Sequence, residues 1–400
     1  GDVYKRQMEG YRVDDYRATA SSAISEASNS LYVLGKIHQL TGLSVTVLSN
    51  SEQRFLSYKA LAAMEDNFNK IIEKGTAILD LDGGSFQIYL FDKDALVTTQ
   101  NIRMGSLRIR ERLAGIQSET EHYEEMVEEL IWNEVSSFKK MYLKDRKIEN
   151  IMLIGDVFTD SVYQNIEEKT TKIISRENFN TWYEKIIRQS PMELAVKLGI
   201  PLENASLMYP SAVIYKCLID MMGAEHIWIP GVHMTRGIAY EYAEQMKLLK
   251  GGHNFENDIL MAAKNIGKRY AVNRPHVQNL EMTALAMFDA TKKMHGMKER
   301  ERLLLQMAVM LHDVGKYISF NNVADSSYNI IMSNEIIGLS HIEREMVALI
   351  ARYNTVTLPS YDELVMESSL SAEQYLTVSE LTAIVRLANA LDRSHLQKIQ

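Results

Sequence analysis

The sequence has almost no cysteine. Cys217 is the single one in 400 residues, so no disulfide framework can form, and a reducing compartment, the cytoplasm, is expected. Positive charge is not in excess either. The formal net charge is −8, which argues against a general nucleic-acid footprint. An anionic ligand would need a local basic patch. No apolar run is long enough to span a bilayer, so no membrane partner is expected. No internal repeat or low-complexity tract interrupts the chain. The first residues, GDVYKRQ, lack a starting Met and read as the entry into a longer frame, so the lack of a leader says little about location. What is present is an ordinary balance, 46% hydrophobic and 24% charged, with a length that suits two or three domains.

The stretch Thr76–Leu90, TAILDLDGGSFQIYL, organises the chain. Ala77, Ile78, Leu79 and Leu81 make one apolar arm. Phe86, Ile88 and Leu90 alternate on a second, the period of a half-buried strand. Between the arms, Asp82-Gly83-Gly84-Ser85 makes a turn that another group can approach closely. Its N–H groups could cradle phosphate oxygens, with Asp80 holding a metal beside them. Equally, these residues read as a tight hairpin with an acidic, solvated tip.

Around this hairpin the pattern is mixed α/β. Residues 12–40 read as largely helical, Leu43–Leu48 as a strand, and Ser49-Asn50-Ser51-Glu52 as a helix start with its capping Glu. A strand at Ala95–Arg103 leads to Met104-Gly105-Ser106, which opens a helix carrying Arg108, Arg110 and Arg112. With Arg103 these could line a path for a polyanion or form a solvated helix face. Further helices are expected at 120–143, 181–198 and 210–223, with strands at Ile151–Ile154 and Ile227–Ile229. At Lys250-Gly251-Gly252 the pattern changes, and from Asn254 to Gln400 it is almost wholly helical.

The order of ATASSAISEASN (Ala18–Asn29), VTVLSNSEQRFLSYKAL (Val45–Leu61), ILDLDGGSFQIYLF and MGSLRIRERL (Met104–Leu113) resembles the Ppx/GppA family of exopolyphosphatases and guanosine pentaphosphate phosphohydrolases. The resemblance implies an α/β, actin-like (ribonuclease H-like), two-lobed fold of the ATPase type, truncated at its N-terminus, followed by an all-α HD-like domain. The parts would be 1–74, the remainder of the first lobe, 75–248, the second lobe, and 251–400, the helical domain. It also implies release of terminal phosphate from inorganic polyphosphate or a pentaphosphate nucleotide, with Mg²⁺ in the cleft. A homodimer is compatible with it.

Several positions depart from that family's pattern. Its base falls on Gln53, which cannot take a proton. Glu52 is the nearest carboxylate, turned about 100° around the helix. The first Gly of its phosphate turn is Asp82, its closing Glu is Gln87, an arginine position is Ser25, and Phe158 stands for a glycine in Gly155–Thr159. Asp80, Gly83, Gly84 and Ser85 remain. The cleft is therefore expected to be impaired, with Glu52 and Asp80 as candidate catalytic residues and Gly83, Gly84 and Ser85 as phosphate binders.

The helical part carries His276, His312-Asp313 and Asp392, the order of the HD metal phosphohydrolases, to which it is similar. Imidazoles and carboxylates in that set suit a divalent metal such as Mn²⁺ or Mg²⁺. The same residues could also be a packing remnant satisfied by hydrogen bonds. Three activities thus stay open: a polyphosphatase-type cleft, a one-metal HD-type nucleotide phosphohydrolase, and a non-catalytic regulator that binds polyphosphate or a guanosine alarmone.

Overall fold

The computed structural model describes residues 2–20, 24, 27–64, 67–114, 123–155, 157–165, 172–249 and 252–398. Ser25, Asp156 and Gly251 lie outside them. Two short parallel strands, β1 (Ala18–Ala20) and β2 (Val45–Val47), pair near the N-terminus. The run 12–40 is therefore not one helix. Its helical part is Ser30–Thr41, stopped by Gly42 in the left-handed region (φ 73°), where a Cβ is disfavoured.

The main sheet has the order β5-β4-β3-β6-β8-β7. Its strands are β3 (Thr76–Leu81), β4 (Phe86–Asp92), β5 (Ala95–Ile102), β6 (Asn150–Ile154), β7 (Ile173–Ser175) and β8 (His226–Trp228). β3, β4 and β5 form an antiparallel meander, and β3, β6 and β8 run parallel. The expected hairpin is present, with Asp80 opposite Gln87. The single helix read at 181–198 is two, Arg176–Ile187 and Pro191–Leu198. Ser190 and Pro191 divide it, because Ser190 and Glu193 close a capping box and proline favours the first helical position.

The second arm of the hairpin is not half-buried. Every residue of β3, and all but Asp92 of β4, is buried. Ala77, Leu79, Leu81, Ile88 and Leu90 face one core with Val127, Ile131, Val213 and Ile214. Ile78, Tyr89 and Phe91 face a second core, which holds Tyr58, Phe255 and Ile259 and runs on into the C-terminal helices. Period-2 alternation was the wrong inference because both faces are covered, and each Leu, Ile or Phe so buried contributes about 1.5–3 kcal/mol.

From Asn254 on, the described residues form helices only, among them Phe255–Arg269, Arg274–His295, Glu299–Leu311, Val323–Ser333, His341–Tyr353 and Ala372–Leu391. They share a core with the sheet, so this part rests on the α/β part. A buried polar contact ties the joint. Tyr58 donates to Asp258 Oδ2 at 2.6 Å, and His253 Nε2 lies 2.6 Å from the same oxygen.

Candidate active site

A cleft of about 1180 Å³ opens where the hairpin turn, the helix Asn50–Met64 and the helical part meet. Asp80, Asp82, Gly83, Gly84 and Ser85 line it, as do Gln53, Arg54, Arg103, Arg108, Glu335 and Arg344. The turn is built from its own chemistry. Asp82 Oδ1 accepts from Gly83 N at 2.6 Å, and Asp82 N donates to Ser85 O at 3.0 Å. Against it sits the start of the helix Ser106–Leu113, whose Leu107 N donates to Gly83 O at 3.0 Å. The approach is so close that a Cβ on Gly105 would lie 2.1 Å from Asp82 O and 2.4 Å from Gly83 O. Glycine is required there by contact rather than by dihedral. Gly155 is required by both, with φ 109° and Asp80 Oδ1 2.4 Å from where its Cβ would be.

Asp80 is buried at the base of the cleft beside Arg54, which is also buried. Arg54 donates to Asp80 O (2.7 Å), Ser85 Oγ (2.8 Å) and Ser85 O (3.2 Å), and its guanidinium lies 3.5 Å from Asp80 Oδ2. Burial pushes the Asp80 carboxyl up to about 6, the adjacent Arg54 charge pulls it down, and Asp82 raises it again. Arg54 thus fixes the turn from behind. Its part in the site was missed in the sequence, although it directly follows Gln53.

Glu52 is placed differently from its sequence reading. Its Oε2 accepts from Ser49 N (2.8 Å) and Ser49 Oγ (2.6 Å), which closes a capping box. Glu52 is not part of the cleft wall. Gln53 is, and its amide donates to Leu48 O at 3.0 Å. Gln87 is buried in the hairpin, with Oε1 lacking a partner, and stays outside the cleft wall. Phe158 is fully buried and packs on Phe179 and Tyr215 at ring separations of 6.0 and 5.4 Å, so a core side chain stands where the resemblance expected a phosphate turn. Arg103, Arg108 and Arg344 have no ion-pair partner among the described residues, although all three line the cleft.

The helical part brings a second group together. His276 sits in the first turn of Arg274–His295, fixed by Asn273, which accepts from His276 N. His312 and Asp313 follow the helix Glu299–Leu311, and Ser327 Oγ donates to His312 O at 3.0 Å. Ligand atoms of His276, His312 and Asp313 lie within 4.8 Å of one another. His312 Nδ1 meets Val309 O at 2.7 Å and His276 Nδ1 meets Asp392 Oδ2 at 2.8 Å. Both Nε2 atoms are buried with no hydrogen-bond partner, and that of His312 lies 3.5 Å from Asp313 Oδ2. Burial lowers the His312 pKa, so its ring is neutral at pH 7. Burial works against ionisation of Asp313, but His312 and Lys316 hold its pKa below the ordinary value. Asp392 does not join the three. Its carboxylate is spent on His276 and on Gln397 N (2.8 Å), so it orients the His276 ring from behind. His395 stacks on His276 with ring centres 3.7 Å apart.

Comparison with known proteins agrees with this architecture. Residues 2–246 match the Ppx/GppA phosphatase family and residues 260–400 match domain III of Ppx/GppA phosphatases. The chain is 18% identical over 389 residues to a guanosine-5′-triphosphate,3′-diphosphate pyrophosphatase of Vibrio atlanticus, covering 96% of this chain and 75% of that protein. The identity to the Vibrio vulnificus protein of the same name is also 18%, over 391 residues. The crystal structure of an exopolyphosphatase from Cytophaga hutchinsonii superposes with a TM-score of 0.52 at 15% identity, covering 61% of this chain and 80% of that one. That likeness shows the actin-like fold. No helix among the described residues is long and apolar enough to cross a membrane. With a family match spanning more than half its length and a second match over the helical part, the chain belongs to the Ppx/GppA phosphatase family.

Proposed function

We propose that the cleft binds the terminal phosphates of inorganic polyphosphate, or of a pentaphosphate nucleotide, and hydrolyses the last phosphoanhydride bond. One observation carries this reading: Arg103, Arg108 and Arg344 line the same cleft as the glycine turn, with no ion-pair partner among the described residues. Guanidinium groups match phosphate oxygens in shape and charge. In this reading they hold the chain end and offset the charge that builds on the phosphoryl oxygens. Gly83, Gly84 and Ser85 shape the floor, and Arg54 keeps that floor rigid. Mg²⁺ commonly takes one or two carboxylates and completes its shell with substrate phosphates. Asp80 and Asp82 are oxygen donors of that kind in the cleft wall, and the ion would neutralise phosphate charge. Gln53 offers no base, so the α/β walls alone support slow turnover. The test is phosphate release from polyphosphate and from a pentaphosphate nucleotide, with binding measured in parallel for the parent chain and Arg344→Met. Saturable binding that weakens in the variant is expected. Absence of saturable binding by the parent chain refutes the reading, and binding without release leaves a regulator.

A second reading rests on the orphaned Nε2 atoms of His276 and His312 beside Asp313. This donor set suits one divalent metal, Mn²⁺ among the candidates, held by His276, His312 and Asp313 with Asp392 behind. Such an ion would activate water or brace the helices. His312 supplies a neutral imidazole and Asp313 an ionised carboxylate, the states that a metal needs.

A further inference from the structure

Position 53 in the α/β wall of the cleft offers no base, but the helical part brings a carboxylate to the same cleft. Glu335 follows the helix Val323–Ser333 and lines the cleft with the turn and Gln53. Its backbone is held by Thr99 Oγ1, which donates to Glu335 O at 3.3 Å. Its Oε1 accepts from Asn101 Nδ2 at 3.4 Å and from Ser51 Oγ at 3.5 Å, both at the long edge of hydrogen-bond range. Its Oε2 is buried and has no partner.

The other carboxylates of the cleft wall are committed. Asp80 is paired with Arg54. Asp82 is exposed and closes its own turn. Glu335 is the shielded one with an uncommitted oxygen. A buried acceptor without a donor is unfavourable.

Arg344 gives the complementary half of the argument. It lines the same wall, donates to Asn334 O at 3.2 Å, and has a buried Nε with no partner. Glu335 and Arg344 stand near each other without forming an ion pair. One lacks a donor and the other lacks an acceptor. Both residues are part-exposed, so in an occupied cleft a water can donate to the Glu335 carboxylate while a phosphoryl oxygen accepts from the Arg344 guanidinium.

We propose that Glu335, supplied by the helical part, is the general base of the cleft, in place of the residue at position 53. This rests on the phosphoanhydride reading above. The water oxygen attacks the terminal phosphorus and passes a proton to the Glu335 carboxylate. The bond from that phosphorus to the bridging oxygen breaks, and its electron pair stays on the shortened chain. Orthophosphate leaves, and Glu335 returns the proton to solvent.

The experiment measures steady-state phosphate release from polyphosphate and equilibrium polyphosphate binding, for the parent chain, Glu335→Gln and Glu335→Asp. A positioned base contributes about 10²–10⁴-fold, so Glu335→Gln should lose kcat by that factor. KM and Kd should stay within about threefold, since the lost interaction belongs to the transition state. Glu335→Asp, which keeps the charge but retracts it by one methylene, should lose at least about tenfold in kcat at unchanged Kd. It carries the test alone if the Gln variant does not fold. A kcat within tenfold of the parent for Glu335→Gln overturns the assignment, as does a loss matched by an equal rise in Kd. A parent chain that binds polyphosphate yet releases no phosphate overturns the base and leaves the binding site standing. A parent chain that binds none overturns both readings.

Discussion

Arg54→Met tests what holds the phosphate turn. The guanidinium is 7% exposed and reaches Asp80 O, Ser85 Oγ and Ser85 O within 3.2 Å, with Asp80 Oδ2 at 3.5 Å. Methionine fills much of the volume and makes none of these contacts. Removing one partner of a buried ion pair costs about 3–5 kcal/mol, because the other charge stays buried. The loss depends on pH, and its sign follows from Asp80. In the folded parent its carboxyl sits at about 6, against an ordinary 3.8. The folded state therefore holds this proton more tightly than the unfolded chain does. The stability this gives is full below about 4, falls between 4 and 6, and is gone above 6. At about 1.36 kcal/mol per pH unit, that fall is about 3 kcal/mol. Without Arg54 the carboxyl rises further, so the variant keeps losing stability between pH 6 and 8, where this group no longer affects the parent. Urea unfolding at pH 5 and pH 7.5 reads both effects. The expected difference from the parent is about 3–5 kcal/mol at pH 7.5 and smaller at pH 5. A difference below about 1 kcal/mol at pH 7.5, the size of a surface pair, or one equal at both pH values, would refute the reasoning.

Two further outcomes are expected. Gly105→Ala places a methyl 2.1 Å from Asp82 O, so the helix Ser106–Leu113 must move about 1 Å off the turn. Unfolding should show a loss of about 1–3 kcal/mol, and phosphate release should fall about 100-fold; Gly252→Ala, with open space around its Cβ, serves as the silent control, and equal behaviour of the two variants would contradict the close approach. Protein equilibrated with Mn²⁺ and desalted should retain about one metal ion by elemental analysis, and His312→Ala should retain none; identical metal content in the two would remove the case for a site at His276, His312 and Asp313.

The local chemistry was legible in the sequence because it is local. Asp82-Gly83-Gly84-Ser85 between two apolar arms specifies a hairpin wherever it falls, and the order His276, His312-Asp313 on helix ends specifies one buried cluster. The Ser49–Glu52 capping box was also legible, and it engages the Glu52 carboxylate in starting the helix. Other features needed the tertiary fold. Asp392 was grouped with the ligands, but its carboxylate is turned to His276 and Gln397. The alternation in β4 reads as a half-buried strand, but the helical part covers its second face. Glu335 and Arg344 carry no motif. The partners of Glu335, Ser51 and Asn101, are far away in sequence and meet it only because the helices from Asn254 onward pack against the sheet. Spacing encodes what adjacent residues do to one backbone. Which distant side chain is left unsatisfied in a shared cleft is decided by packing, because desolvation acts on neighbours in space and not in sequence.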